Sequence, residues 1–239
     1  MKAIIMAAGK GTRISRDIGG KPKCTLDLNG KTLIETTVNL LKKKGINKIY
    51  IITGYKHKEI ENNFDKELIS FYYNPFFEVT NSLASLWFAR DIINDDEDII
   101  FLNGDVFCEE KVLDRIIKTK KSPVLFADTT RIEDADYRFN FSDGILKKFG
   151  KELSNQETTG EYIGYAKIKA NDIEFFKKRM FECIENGNYN KWWEDILYSM
   201  VEERKIYVDD LKGLFWAEID YIEDYERIIE YVGRKKREK

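Results

Sequence analysis

The sequence MAAGKGTRISRDIGGKPK, residues 6–23, begins where the apolar run AIIM, residues 3–6, ends. A short continuous apolar run of this kind predicts a buried parallel strand. Glycines in the stretch that follows allow backbone N–H groups to approach a ligand closely, and its Lys and Arg side chains supply positive charge. The stretch therefore predicts a first strand that ends in a phosphate-binding loop.

This loop does not fit two well-known phosphate-binding motifs. A dinucleotide-binding loop requires G-x-G-x-x-G, but Gly9 and Gly11 are followed by Ile14 at the position of the third glycine. A Walker loop requires Gly-Lys-Ser/Thr, whereas Gly20 and Lys21 are followed by proline. A different class of phosphate loop is therefore indicated.

Strands and helices alternate on the C-terminal side of the loop. A helix is predicted over residues 31–45, because Thr32 and Glu35 have capping-box spacing and Gly45 provides a stop. Further strands are predicted at residues 48–55, 71–74, 97–105 and 123–128, with helices at residues 57–64, 81–93 and 110–121 between them. This repeated β-α order predicts a Rossmann-like, doubly wound α/β sheet with helices on both faces.

The pattern changes near Arg131. Aromatic and β-branched residues at 137–152 and 161–168 indicate antiparallel strands, with Asp143-Gly144 as a hairpin turn. Helices are predicted at residues 171–186 and 190–203, followed by short strands at 205–211 and 214–219 and a final helix from Asp220. No linker rich in Pro, Gly or Ser divides the chain, which favours one domain over residues 1–239 with a smaller antiparallel subregion in its second part.

Composition excludes several classes of protein. The chain has 40 basic and 42 acidic residues and a net charge of −2, which argues against a nucleic-acid-binding protein with a broad cationic surface. No apolar run approaches about 20 residues, and no signal-type segment begins the sequence. We therefore expect a cytoplasmic protein that does not bind a membrane.

Cysteine and histidine content limits the possible metal chemistry. Cys24, Cys108 and Cys183 are widely spaced, which favours reduced core residues over disulfides or a CxxC metal site. His57 is the only histidine, so a multi-histidine metal centre is excluded. Its polar surroundings indicate a solvent-facing helix residue.

A two-part signature carries a resemblance to a known family. The sequence reads AAGKGTR at residues 7–13 and, about ten residues later, PK at residues 22–23. This combination resembles the signature of the sugar-1-phosphate and phosphocholine nucleotidyltransferases. One departure is SRDIGG, residues 15–20, where the family often has Pro-x-Thr, and Arg16 in this segment is a candidate for an additional phosphate contact.

The resemblance extends beyond the signature. Residues 29–55, Asn81-Ser82, residues 192–197 and residues 215–228 are similar to the corresponding segments of CTP:phosphocholine cytidylyltransferases of bacterial surface-polysaccharide pathways. The relatives that accept phosphoglutamine resemble the chain as well. The resemblance implies a GT-A-like nucleotidyltransferase fold in which residues 1–128 mainly bind the nucleotide and residues 129–239 mainly bind the acceptor.

The resemblance also implies roles for individual residues. Arg13 and Lys23 are the expected catalytic residues, which neutralise the triphosphate, and Asp105 and Asp220 are the expected Mg²⁺ ligands. Mg²⁺ commonly takes one or two protein carboxylates together with phosphate oxygens and water. The nucleotide-binding residues that the resemblance implies are Ala7, Ala8, Gly9, Gly11, Thr12, Gly54, Tyr55, Asn81 and Ser82.

Asp105 and Asp220 also have purely structural interpretations. Asp105 follows Gly104 at the end of a predicted strand, a position that suits a turn as well as a ligand site. Asp220 and Glu223 have the spacing of a capping box for the last helix, and this role competes with metal binding for the same oxygens. Both interpretations stay open at the level of the sequence.

Aromatic and acidic residues in the second half predict the acceptor site. Aromatic faces attract ammonium groups, and carboxylates add to this attraction where water is excluded. We therefore expect an amine-bearing phosphorylated acceptor, bound by Glu161, Tyr162, Trp192, Trp193, Glu194 and Asp195. The alternative is that the acids face solvent and the tryptophans fill the core, and helical spacing predicts that at least one tryptophan does so.

The expected function is transfer of CMP from CTP to this acceptor, with release of pyrophosphate, for modification of a capsule or surface glycan. The second pKa of a phosphomonoester is about 6, so the attacking oxygen is already anionic at neutral pH. Catalysis then requires positioning and charge neutralisation rather than a strong base. Two alternatives stay open, namely a sugar-1-phosphate nucleotidyltransferase and a catalytically silent nucleotide-binding protein.

Overall fold

A nine-stranded mixed sheet forms the centre of the protein, in a computed structural model that describes residues 1–65 and 69–237. The strands are β1 (Lys2–Ala7), β2 (Lys48–Thr53), β3 (Ser70–Tyr73), β4 (Ile99–Asn103), β5 (Val106–Cys108), β6 (Val124–Asp128), β7 (Arg138–Ser142), β8 (Ile145–Gly150), β9 (Gly160–Ile168), β10 (Tyr207–Asp210) and β11 (Trp216–Glu218). The α-helices are α1 (Leu33–Lys43), α2 (His57–Glu61), α3 (Ser82–Phe88), α4 (Glu110–Lys118), α5 (Ala170–Glu185), α6 (Asp195–Tyr198) and α7 (Ile222–Arg237), and Lys23–Thr25 and Arg90–Ile92 form 3₁₀ turns.

The large sheet has the strand order β3-β2-β1-β4-β9-β6-β10-β8-β7, and β5 and β11 form a separate pair. β1 is parallel to β2 and β4, and β2 is parallel to β3. β9 lies antiparallel between β4 and β6, while β7 and β8 form an antiparallel hairpin at the far edge. The predicted doubly wound mixed sheet with an antiparallel subregion is confirmed.

Side chains of β1 alternate between two hydrophobic clusters on opposite faces of the sheet. Ile4 and Met6 pack in a cluster that includes residues of α3 and α5, whereas Ala3 and Ile5 pack with residues of α1 and α4. Every residue of β1 is buried, as its continuous apolar sequence predicts. Helices therefore cover both faces of the sheet, and the carboxyl ends of its parallel strands remain available to a ligand.

Local signals in the sequence predicted several of these elements. Thr32 and Glu35 form the expected capping box at the start of α1. Asp143 and Gly144 form the hairpin turn between β7 and β8 with φ angles of 54° and 67°, which are typical of a two-residue turn. Asn81 is the N-cap of α3 and accepts a hydrogen bond from the backbone N–H of Ser82 (2.8 Å).

The helix predicted over residues 190–203 is largely wrong. Only α6 is α-helical there, and turns surround it. The backbone N–H of Trp192 donates to the Asp195 carboxylate (2.8 Å), and that of Trp193 donates to the hydroxyl of Ser82 (2.9 Å). These contacts fix the backbone at the start of the segment, and from Asp195 onward i→i−3 and i→i−4 hydrogen bonds form α6 and turns rather than one continuous helix.

Cysteine and histidine positions differ slightly from expectation. Cys24, Cys108 and Cys183 are free thiols; Cys24 and Cys183 are buried, whereas Cys108 is half-buried. The His57 ring is partly enclosed, 4.4 Å from the ring of Tyr73, and is therefore less solvent-facing than predicted. Across residues 1–65 and 69–237, each helix is too short or too polar to cross a membrane.

Candidate active site

A solvent-open cleft with about 1070 Å³ of space lies at the carboxyl ends of β1 and β4. Its walls come from the loop after β1, the start of α3, the ends of β9 and β11, and the turns around α6. Open α/β sheets bind their ligands at this edge. The cleft is therefore the candidate active site.

The first part of the signature loop is held against the end of β2. Tyr55 donates its backbone N–H to the carbonyl of Ala8 (3.0 Å) and its hydroxyl to the carbonyl of Gly20 (3.0 Å). A Cβ atom at Gly54 would lie 2.6 Å from the Ala8 carbonyl oxygen, so only glycine permits this contact. Ala8 and Gly9 line the cleft, whereas Gly54 and Tyr55 support the loop from behind.

Gly11 makes room for the lysine of the second signature part. Its φ angle is 61°, and a Cβ atom there would lie 2.8 Å from the aliphatic chain of Lys23. Of the other predicted loop residues, Ala7 is buried in the sheet, and Thr12 and Arg16 are exposed. The structure thus gives Gly11 a steric reason for its place in the motif.

Lys23 lies between two carboxylates from distant parts of the chain. Its Nζ is 3.2 Å from Asp105, which follows β4, and 2.6 Å from Asp220, which follows β11. Arg13 also pairs with Asp220. Burial by itself would lower the pKa of Lys23, but the two neighbouring carboxylates outweigh burial and raise it. The lysine is therefore held as a cation beside the part of the cleft wall that Asp105 and Asp220 form.

The predicted capping box of Asp220 with Glu223 is wrong. The Asp224 carboxylate instead accepts the backbone N–H groups of Asp220 (3.1 Å) and Tyr221 (2.9 Å) at the start of α7. The side chain of Asp220 points to Lys23 and Arg13. Capping of α7 therefore does not occupy the Asp220 carboxylate.

Asp105 and Asp220 have the donor chemistry of a small magnesium site. Both carboxylates lie within 3.2 Å of the same lysine nitrogen, so they converge on one region of the cleft. Within the described parts of the chain, no cluster of three or more His, Cys, Asp or Glu side chains is arranged to hold a metal ion alone. Two carboxylates nevertheless suit Mg²⁺ when phosphate oxygens and water supply its other ligands.

The start of α3 connects the nucleotide side of the cleft to the segment that contains the tryptophans. Asn81 and Ser82 both line the cleft. The backbone N–H of Asn81 donates to the carbonyl of Tyr189 (2.9 Å), and Ser82 accepts the N–H of Trp193. Two predicted nucleotide-binding residues therefore also fix the position of the opposite wall.

The two neighbouring tryptophans have different positions. Trp193 is fully buried, stacks on Phe101 with ring centroids 5.1 Å apart, and donates its Nε1–H to Asn103 (2.9 Å). Trp192 is 42% exposed and lines the cleft, with its ring 5.6 Å from that of Tyr137. The expectation that at least one tryptophan is a core residue agrees with this arrangement.

The structure brings Tyr162, Trp192 and Glu194 to the cleft wall but not Glu161 or Asp195. Glu161 is buried, with its carboxylate 2.9 Å from Arg131 Nε and accepting the backbone N–H of Asp136 (2.8 Å). Asp195 caps the turn at Trp192. Strand alternation explains the difference for Glu161, because neighbouring residues of β9 point to opposite faces.

Several cleft residues were not predicted from the sequence. They are Asn103, Asp136, Tyr137, Lys151, Tyr198 and Glu218. Tyr198 is four residues after Glu194, and Glu218 is two residues before Asp220, so periodicity offered a signal for both. Asp136, Tyr137 and Lys151 come from the ends of the β7–β8 hairpin, where no local pattern indicates a site.

Glu218 adds a half-buried acid to the cleft near the two aspartates. Burial raises its pKa well above the ordinary value, and the negative charges of Asp105 and Asp220 raise it further. The loop end of the cleft therefore contains more carboxylates than the two predicted ones.

A glycine-rich loop on the first strand of an open α/β sheet, with a lysine set between two aspartates, defines a nucleotidyltransferase site. Residues 3–138, more than half of the chain, match the MobA-like NTP transferase domain. The chain therefore belongs to the MobA-like NTP transferase family, and the resemblance identified from the signature is confirmed.

Comparisons with individual proteins agree with this assignment. The chain is 25% identical to the CTP:phosphoglutamine cytidylyltransferase of Campylobacter jejuni, over 96% of this chain and 100% of that protein. It is 25% identical to the choline-phosphate cytidylyltransferase of Haemophilus influenzae, over 99% of each. Its fold is similar to the solved CTP:phosphocholine cytidylyltransferase of Streptococcus pneumoniae, with a TM-score of 0.79, 22% identity and coverage of 97% and 98%.

Proposed function

We propose that the protein transfers CMP from CTP to a small phosphorylated acceptor that carries an amine, with release of pyrophosphate. Full-length similarity to two cytidylyltransferases that use different acceptors supports the choice of CTP and of a phosphorylated acceptor. A relative named 2-aminoethylphosphonate cytidylyltransferase, from Lancefieldella rimae, is 24% identical over 92% of this chain. A role in modifying a capsule or surface glycan is part of the same proposal.

One observation carries the proposal. The cleft has the cations Lys23 and Arg13 with the carboxylates Asp105 and Asp220 at one end, and a wall of aromatic and acidic side chains at the other. A triphosphate requires the first set of groups, and an amine-bearing acceptor requires the second. Their presence in a single cleft suits a reaction that joins the two substrates.

Nucleotide binding requires Lys23 and Arg13 to leave their carboxylate partners and bind phosphate oxygens. Both cations now contact carboxylates, and both are close enough to the loop to bind phosphate oxygens instead. Asp105 and Asp220 would then be free to hold Mg²⁺, which supplies charge neutralisation at the phosphates when it is bound. Lys23 neutralises the charge that develops between the transferred phosphorus and the leaving pyrophosphate.

The acceptor phosphate needs a cation of its own and no base. Lys151 lines the cleft beside the exposed tryptophan, 6.0 Å from the ring of Trp192, and is 2.8 Å from Asp136. An oxygen of the acceptor phosphate attacks the α-phosphorus of CTP, a new P–O bond forms, and the bond to pyrophosphate breaks. The attacking oxygen is already ionised at neutral pH, so Lys151 and Arg13 need only to orient it.

The test is a pyrophosphate-release assay with each of the four ribonucleoside triphosphates and dTTP, in the presence of Mg²⁺. The acceptors are phosphocholine, phosphoethanolamine, 2-aminoethylphosphonate, phosphoglutamine and two hexose 1-phosphates. We expect turnover with CTP and an amine-bearing acceptor. Preference for a hexose 1-phosphate would support the sugar nucleotidyltransferase alternative, and tight CTP binding without turnover would support a silent nucleotide-binding protein.

A further inference from the structure

Glu194 differs from the other buried carboxylates of the protein. Asp128, Glu161 and Glu194 are the acidic side chains that are buried within residues 1–65 and 69–237. Asp128 accepts hydrogen bonds from the Trp216 indole and from backbone N–H groups, and Glu161 pairs with Arg131. Glu194 is 6% exposed, lines the cleft, and accepts one side-chain hydrogen bond, from the Asn103 amide (3.1 Å). No cation of the described chain pairs with it.

Two tyrosine hydroxyls beside Glu194 also lack partners. Tyr162 and Tyr198 line the same cleft and are 5% and 3% exposed. Neither hydroxyl has a hydrogen-bond partner within 3.5 Å among the described residues. Burial raises the pKa of each phenol, and the nearby Glu194 carboxylate raises both further. Two hydroxyls without hydrogen-bond partners and a carboxylate without a cation therefore face one part of the cleft, although buried polar groups are normally paired.

The chemistry of these three groups specifies what would satisfy them. A carboxylate and two hydroxyl oxygens accept hydrogen bonds, and the carboxylate also needs a positive charge when it is ionised. A primary ammonium group supplies one positive charge and three N–H donors. We infer that this end of the cleft binds a primary ammonium group of the acceptor, with Glu194, Tyr162 and Tyr198 as the hydrogen-bond acceptors, an inference that rests on the proposed function.

The aromatic wall alone does not distinguish a primary ammonium group from a quaternary one. Tyr137 stacks on Tyr198 with ring centroids 5.7 Å apart, and Trp192 packs against the edge of Tyr137. Aromatic faces attract primary and quaternary ammonium groups alike. A trimethylammonium group has no N–H donor, so it would leave both hydroxyls buried without hydrogen-bond partners and would give the Glu194 carboxylate no hydrogen bond beyond that of Asn103. Sites that hydrogen-bond a substrate N–H strongly reject analogues without it.

The experiment is a series of acceptors that differ only in the number of methyl groups on nitrogen. It comprises phosphoethanolamine, its N-methyl and N,N-dimethyl derivatives, and phosphocholine, each assayed with CTP and Mg²⁺ for kcat/KM. Phosphoserine and 2-aminoethylphosphonate serve as additional primary amines. We expect a stepwise fall in kcat/KM along the series, about 100-fold in total. Equal or better use of phosphocholine would overturn the inference and leave the proposed function intact.

Variants identify the groups responsible for the selection. Glu194→Gln and the double variant Tyr162→Phe/Tyr198→Phe should each reduce the preference for phosphoethanolamine over phosphocholine at least 10-fold, with the KM for CTP unchanged. Glu203→Gln, an exposed glutamate that pairs with Arg179, is the matched control and should keep the preference. An unchanged preference in the Glu194 variant would also overturn the inference. Absence of turnover with every acceptor would contradict the proposed function, and the inference with it.

Discussion

The two ends of the cleft differ in whether their charged side chains are paired. At the loop end, Lys23 and Arg13 contact Asp105 and Asp220, so opposite charges compensate each other before any ligand binds. At the far end, Glu194 is buried without a cationic partner among the described residues. The first arrangement suits exchange, because phosphates and Mg²⁺ can replace existing partners. The second suits selection, because only a ligand of matching chemistry removes the cost of the buried acid.

The largest expected effect comes from the aspartates at the loop end. Asp105→Asn and Asp220→Asn should each reduce Mg²⁺-dependent turnover about 1000-fold, because each removes a charged ligand where phosphate charge must be neutralised. Steady-state pyrophosphate release across a range of Mg²⁺ concentrations measures this effect. The melting temperature of Asp220→Asn should change little, since Asp224 accepts the N–H groups at the start of α7.

Asp224→Ala is the matched comparison for Asp220→Asn. It should lower the free energy of unfolding by about 1 kcal/mol and retain turnover, because it removes only the cap of α7. The opposite pattern, in which Asp220→Asn loses stability and keeps activity, would show that Asp220 has a structural role alone.

Lys23→Ala tests whether Lys23, which pairs with Asp105 and Asp220, stabilises mainly the transition state. We expect kcat to fall more than 100-fold, about 3 kcal/mol, with little change in the KM for CTP, because charge builds up on the phosphates as pyrophosphate leaves. The control is Lys21→Ala, an exposed lysine two residues away in the same loop. A Lys23→Ala enzyme with near wild-type kcat would remove this role.

The buried Glu194 carboxylate, which has no cationic partner among the described residues, should make the free energy of unfolding depend on pH. Burial raises the pKa of Glu194 to about 7, the negative charge of Asp195 adds to this shift, and the hydrogen bond from Asn103 opposes it. The unfolded glutamate loses its proton near pH 4.5, so the folded protein is destabilised progressively as the pH rises from there to about 7. Glu194→Gln should therefore increase the free energy of unfolding at pH 8, by up to about 3 kcal/mol.

Thermal or urea unfolding of the wild type and of Glu194→Gln at pH 4, 6 and 8 measures this difference. The advantage of the variant should vanish near pH 4, where the glutamate is protonated in both states. The groups that face Glu194 from the neighbouring elements are Asn103, Tyr162, Tyr198 and Asp195, and none is altered in the variant. A stability difference that does not depend on pH would contradict a raised pKa at Glu194.

The smallest predicted effect is a difference in acceptor KM between variants of two buried glutamates, Glu194 and Glu161. Glu194→Gln should raise the KM for an amine-bearing acceptor about 10-fold, because it removes the charge that faces the ammonium group. Glu161→Gln should change that KM less than about twofold and should instead lower the melting temperature, since its carboxylate pairs with Arg131 away from the cleft. Similar acceptor KM values for the two variants would eliminate the distinction between them.

Much of the fold could be predicted because local signals and tertiary structure agree. The capping box at Thr32, the apolar run of β1 and the turn at Asp143-Gly144 each specify their element through nearby residues. Residues 190–203 did not follow this rule. The backbone N–H groups of Trp192 and Trp193 bond to the Asp195 carboxylate and to Ser82, and no helical period in the sequence reveals such contacts.

The residues predicted from a motif lie together in the structure, whereas the prediction of the remaining cleft residues was incomplete. The signature located Lys23, and the family resemblance located Asp105 and Asp220; the structure brings the three side chains together. The roles of these residues stay predictions. Glu161 was assigned to the acceptor side from composition, and the direction of a side chain on β9 depends on register rather than on composition.

The position of β9 in the sheet leaves two earlier strands incompletely paired while the chain is being synthesised. β9 lies between β4 and β6, and the other neighbour of β6 is β10. A nascent chain that ends before residue 160 therefore presents open strand edges on both β4 and β6, which are sites for pairing with other chains. β9 cannot pair with β4 and β6 until more than two thirds of the protein has been synthesised. A fragment that ends near residue 138, where the family match ends, would keep those edges permanently and would tend to aggregate.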